Sequence, residues 1–89
     1  MISRATTQFW QAFSQLPENV RREAQDAYRL FEQNPAHPSL HFKKIHSKRT
    51  IWSVRVNLDY RAVGIRDADK IVWFWIGSHS AYEGLLKKK

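Results

Sequence analysis

The sequence predicts an α+β domain: an N-terminal α-hairpin packed on an antiparallel β-sheet of about four strands, closed by a short C-terminal helix. Three observations predict it. Apolar residues recur with helical spacing as far as Phe31, and the period changes to two after Pro38. Nearly all the excess positive charge then falls in the period-two half. Residues 1–40 balance Arg4, Arg21, Arg22 and Arg29 against Glu18, Glu23, Asp26 and Glu32, whereas residues 41–66 set Lys43, Lys44, Lys48, Arg49, Arg55, Arg61 and Arg66 against Asp59 alone. Most of the formal net charge of +7 therefore sits on one structural element. Charge segregated in this way is the electrostatic footprint of a polyanionic partner, most often nucleic acid.

The helices follow from spacing. Phe9, Trp10, Phe13 and Leu16 line one face of a first helix, with Thr6 or Thr7 as its N-cap. Leu16-Pro17 interrupts it, and Pro17 suits the first position of a second helix, whose positive end Glu18 and Glu23 favour. Val20, Ala24, Ala27, Tyr28 and Phe31 continue that helix until Asn34-Pro35 stops it. His37-Pro38-Ser39 reads as a loop. A short strand near His41–Ile45 and a basic turn at Ser47-Lys48-Arg49 follow. Thr50–Val56 alternates, with Trp52, Val54 and Val56 on one face and Ile51, Ser53 and Arg55 on the other. Turns at Asn57-Leu58-Asp59 and Asp67-Ala68-Asp69 bracket a strand over Tyr60–Arg66. Ile71–Ile76, apolar on both faces, reads as the central strand, broken by Gly77 ahead of a helix over Ala81–Leu86. Met1–Ala5 is too short and polar to predict a strand.

Eighty-nine residues, 1–89, make one domain with a single core. Four Trp, five Phe and three Tyr supply that core, so order is expected everywhere except in the Lys87-Lys88-Lys89 tail. No apolar run has membrane-spanning length, and the start of the chain shows no signal-peptide pattern. The absence of cysteine removes thiolate nucleophiles, disulfides and cysteine metal sites, and suits the cytoplasm.

Across the tight Asn57–Asp59 turn, Arg61 is placed to lie close to Arg55, with Lys43, Lys44 and Arg49 around the same face. Two convergent guanidinium groups repel unless an anion lies between them, and their geometry matches phosphate. The alternative is a solvated strand whose charges maintain solubility. His79 and Tyr82 stand at the junction of the last strand and helix. Together with the arginines they are the parts phosphodiester chemistry on RNA requires: a base for the 2′-hydroxyl, cations for the phosphate and an acid for the leaving oxygen. Equally, His79 can satisfy a turn and Tyr82 can pack on the sheet. His37, His41 and His46 fit no zinc spacing. Trp73 and Trp75 share a strand face and read as core rather than as a base-stacking platform. Gly77 reads as a backbone break rather than part of a phosphate loop.

At these residues the chain resembles a known family. Asn34-Pro35, the run from His37 to Ile45, Trp52–Val56, Asp59-Tyr60-Arg61-Ala62-Val63 and Trp75-Ile76-Gly77-Ser78-His79-Ser80-Ala81-Tyr82-Glu83 resemble the RelE/ParE toxin superfamily, with an ending like its HigB-type branch. The resemblance spans about Phe9 to Leu86. It implies a toxin of a type II toxin–antitoxin pair that cuts mRNA in the ribosomal A site, with no metal or other cofactor. The implied catalytic residues are Arg55, Arg61, His79 and Tyr82. Lys43 and Lys44 match family basic residues, and Lys48, Arg49 and Arg66 complete the expected RNA-binding set. The implied partners are a cognate antitoxin, mRNA and the ribosome, with no membrane, and with operator DNA contacted only through the antitoxin complex. A +7 chain suits an acidic or amphipathic antitoxin segment. Two features depart from the family: the missing opening strand, and Ser80 where several nucleases of the family carry another basic residue. Two alternatives stand beside the nuclease: a ParE-like toxin that poisons DNA gyrase by binding, and a catalytically inactive nucleic-acid or protein-binding module.

Overall fold

The computed structural model describes residues 1–46 and 48–87. Ser47 of the basic turn and the Lys88-Lys89 end of the expected tail lie outside the described residues. Helix α1 (Thr7–Ser14) starts at Thr6, whose Oγ1 accepts the Phe9 N–H at 3.1 Å. Such a cap is worth about 1 kcal/mol. Pro17 is the residue immediately before α2 (Glu18–Gln33), one position earlier than expected, and Arg21 Nη1 ties the junction by donating to the Leu16 carbonyl at 2.6 Å. Asn34 ends α2, donating its N–H to the Leu30 carbonyl. The expected loop after it contains a 3-10 turn over Pro38–Leu40 that buries Leu40.

The sheet has five strands and is mixed. Strands β1 (Ile2–Ala5), β2 (Lys43–Lys44), β3 (Ile51–Arg55), β4 (Tyr60–Asp67) and β5 (Lys70–Ser78) lie in the order β1-β5-β4-β3-β2. Strands β2 to β5 form the expected antiparallel meander, although β2 is only two residues long. The opening segment, read from sequence as lacking a strand, pairs parallel with β5 from Ile2↔Lys70 to Ala5↔Trp73. Its local sequence is a poor guide because the strand is made by its neighbour. The Ile2 and Thr6 N–H groups donate to the Asp69 and Trp73 carbonyls, and Trp73 Nε1 donates to Ser3 Oγ at 2.9 Å.

The main core lies between the helical hairpin and one sheet face. Leu16, Val20, Phe31, Leu40, Val54, Ala62, Ile71, Trp73 and Ile76 form it, with Trp52 and Val56 packed against it as their alternation predicts. A register shift corrects the reading of β5. Val63 faces Trp75 and Gly64 faces Trp73, so the ladder skips Phe74 and the strand changes phase. Trp73 therefore points to the hairpin, meeting Phe31 with ring centroids 5.5 Å apart, whereas Trp75 lies on the opposite face beside Tyr82. The two indoles do not share a face. Gly64 permits the shift: a Cβ there would sit 2.8 Å from the Val72 carbonyl and 2.9 Å from the Trp73 ring.

Gly77 does not break the strand, which runs through Ser78. Its lack of a side chain instead makes room for Trp75, whose ring carbon lies 2.7 Å from where a Cβ would stand. Helix α3 (His79–Lys87) follows at once, two residues earlier than expected. Among the described residues no helix is long and apolar enough to cross a membrane.

Candidate active site

The second sheet face carries Ser53 and Arg55 on β3 with Val63 and Arg61 opposite them on β4. Ser53, Val63 and Tyr82 are buried outside the main core. The Tyr82 hydroxyl reaches across the sheet to Ser53 Oγ at 3.5 Å, a long hydrogen bond. Helix α3 thus covers part of this face, with Tyr82 set over Ser53 and the Arg55–Arg61 pair at one end of it.

Arg55 and Arg61 are direct register partners. The Val56 N–H to Tyr60 carbonyl bond beside them makes theirs a non-hydrogen-bonded pair, the arrangement with the shorter side-chain separation. Like charges opposed in this way destabilise a sheet, so the pairing needs either an anion or a set of fixed dipoles. Arg61 is held by dipoles: its Nη1 donates to the Asn57 carbonyl at 2.7 Å and to the Tyr60 carbonyl at 3.0 Å. Burial first, and then Arg55, push its pKa down, partly offset by Tyr82 and Asp59. Arg55 Nε is buried and has no hydrogen-bond partner among the described residues.

The Asn57–Tyr60 turn organises this end of the molecule. Asn57 Oδ1 accepts the Asp59 and Tyr60 N–H groups at 2.8 and 2.9 Å, and Asn57 Nδ2 donates to Glu23 Oε1 of α2 at 2.7 Å. The Asp59 carbonyl accepts the His79 N–H at 2.6 Å. One turn therefore fixes Arg61, the start of α3 and the contact with α2 together. Ser78 Oγ caps α3 by accepting the Ala81 N–H at 3.2 Å. The exposed His79 ring lies 5.9 Å from that of Tyr82, and its Nε2 is 3.3 Å from Glu83 Oε2. Tyr82 itself is only 7% exposed.

The other expected site residues divide by parity along their strands. Lys43 pairs with Ser53 and shares the arginine face, while Lys44 pairs with Trp52 and points the other way. Arg66 is also on the hairpin side. Its guanidinium carbon lies 4.5 Å over the Trp52 ring and 5.6 Å over Phe42, and its Nε donates to the Ala68 carbonyl. Lys48 and Arg49 sit exposed in the turn beyond β2, their backbone N–H groups donating to His46 Nδ1. The four proposed catalytic residues thus share one end of one face, but Lys44 and Arg66 do not join them.

Sequence reasoning weighed His41 only as a metal ligand. It follows the 3-10 turn with φ of 47°, in the left-handed region. Arg55 first, then loss of solvation, Lys43 and Arg61 push its pKa below the usual histidine value. The signal was partly available: His41 lies two residues before Lys43, and the antiparallel Lys43↔Ser53 register runs the preceding chain toward the Arg55 end of β3. Among the described residues no three His, Asp or Glu side chains gather as a metal set.

With this geometry in place, the likeness to known proteins becomes specific. Residues 18–84 match the family described as the ParE-like toxin domain. The chain belongs to that family. The ParE-like match runs from α2 into α3 and includes Arg55, Arg61, His79 and Tyr82. The toxin's fold recurs in solved structures. One is the RelB–RelE antitoxin–toxin complex of Methanococcus jannaschii, at TM-score 0.73 and 13% identity over 92% of this chain and 96% of that one. YafQ of Escherichia coli BL21(DE3) is similar at TM-score 0.71 and 12% identity, covering 90% and 94% of the two chains. A YoeB/ParE toxin from Agrobacterium tumefaciens follows at 0.67 and 14%, covering 89% and 99%. No curated protein sequence matches the chain. The toxin is of the RelE/ParE superfamily, as the sequence motifs imply.

Proposed function

We propose that this protein is the toxin of a type II toxin–antitoxin pair and acts in the cytoplasm as a ribosome-dependent mRNA endoribonuclease. The observation that carries the reading is the Arg55↔Arg61 pair with His79 and Tyr82 at the same end of one sheet face. In the reaction the 2′-oxygen loses its proton to a base and attacks phosphorus. The bond from phosphorus to the 5′-oxygen breaks, and that oxygen takes a proton from an acid. The two guanidinium groups hold the phosphate and stabilise the charge that grows on it, a contribution of about 10²–10³-fold per donor. Exposed His79 supplies the leaving-group proton. Buried Tyr82, fixed at Ser53, holds α3 over the site and keeps its oxygen near Arg61. Lys43, Lys48 and Arg49 attract the message, with Lys44 and Arg66 contributing at longer range. The antitoxin partner is inferred from structural neighbours solved as toxin–antitoxin complexes, the Methanococcus jannaschii RelB–RelE pair among them.

The test is induction of the wild type and of Arg61→Ala in growing cells, with transcripts mapped by primer extension. Wild type is expected to arrest growth and leave breaks within translated messages, and Arg61→Ala to do neither. Growth arrest with an intact transcript pool refutes the nuclease. The ParE-like description of the matching family supports a second reading, gyrase binding, which predicts DNA-damage signalling without transcript breaks.

A further inference from the structure

We propose that His41 is the catalytic base of this site, the group that takes the 2′-hydroxyl proton; the inference rests on the nuclease reading above. His41 stands two residues before Lys43, and because β2 and β3 run antiparallel the chain preceding Lys43↔Ser53 lies toward the Arg55 end of β3, where Arg55 faces Arg61. His79 begins α3 on the other side of that arginine pair, where Gly77 pairs with Arg61. The two imidazoles thus flank the arginine pair from opposite strand edges. An in-line displacement requires this separation of groups, because the attacking and leaving oxygens stand on opposite sides of the phosphorus.

The backbone supports the same assignment. His41 holds a left-handed conformation that is uncommon outside glycine and carries a local cost. The turn buries its neighbour Leu40 in the core and leaves the imidazole exposed over the basic face. The charged groups acting on it are Arg55 on β3, Lys43 on β2 and Arg61 on β4. All three are cationic and disfavour the imidazolium, which favours the free base. Proton transfer from the 2′-hydroxyl makes it cationic as negative charge passes to the phosphate. His79, beside Glu83, then returns a proton to the departing 5′-oxygen.

The experiment is cleavage of a translated open-reading-frame message in a reconstituted ribosomal system, comparing wild type, Arg61→Ala, His41→Asn and His41→Gly. Asparagine and glycine both tolerate the left-handed backbone at this position. We expect His41→Asn to lose about 10²–10⁴-fold in the single-turnover rate, with an unchanged unfolding midpoint and loss of the acid limb of the pH profile. Added imidazole should partly restore His41→Gly, which a purely structural role would not permit. His41→Asn cleaving within about threefold of wild type, with the same acid limb, overturns the inference while leaving the nuclease intact. Wild type that leaves the message uncut overturns the nuclease, and this inference with it.

Discussion

The two faces of the sheet are built on opposite principles. Toward the helical hairpin, Phe31, Phe42, Trp52 and Trp73 meet edge-on or tilted, and a cation on that side, Arg66, sets its guanidinium carbon over aromatic rings. Toward α3, a like-charged pair is opposed at close range, a buried guanidine nitrogen lacks a partner among the described residues, and a histidine adopts an unfavourable backbone. The first face maximises contact. The second accepts local penalties, of which an anion between the opposed guanidinium groups would relieve their repulsion, so the difference between the faces itself marks where the ligand goes.

The largest effect should come from breaking the first face. Phe31 is 3% exposed and packs its ring edge-on at 5.0 Å from Phe42. Phe31→Ala should cost about 3–5 kcal/mol in urea unfolding, which for a domain this small abolishes most folded protein. The second face should respond in the opposite sense. Arg55→Met keeps the stem and removes one of two opposed charges, so unfolding free energy should rise by about 0.2–1 kcal/mol while cleavage falls. The same variant tests His41. With Arg55 as the main cause of its lowered pKa, the His41 proton resonance should titrate below about 6.5 in the wild type and move up toward that value in Arg55→Met. The smallest effect separates adjacent lysines. Lys43→Ala should reduce the salt slope of single-stranded RNA binding by about one, measured by fluorescence anisotropy, and Lys44→Ala should change it less.

Much of this division was written locally. The spacing of Phe9, Phe13, Val20 and Phe31 determines the hairpin, and the alternation from Trp52 to Val56 assigns the core face of β3. The short Asn57–Asp59 turn is enough to predict that Arg55 meets Arg61. Other features depend on distant partners. Strand β1 exists because β5 offers it an edge, and nothing in Ile2–Ala5 announces that. The skipped Phe74 requires knowing that Gly64 yields to the Trp73 ring. The placements of Lys44 and Arg66 were legible but not read. A residue next to Lys43, or five beyond Arg61, falls on the other side of a period-two strand.

The phase change in β5 has a consequence for how the protein can vary. Upstream of Phe74 the hairpin side of the strand is Ile71 and Trp73; downstream Ile76 keeps that side, while Trp75 and the space left at Gly77 turn to α3. The surface beneath α3 can therefore vary at Trp75 and Gly77 while Ile76 keeps its place in the core, whereas deleting the extra residue would swap the partners of everything beyond it.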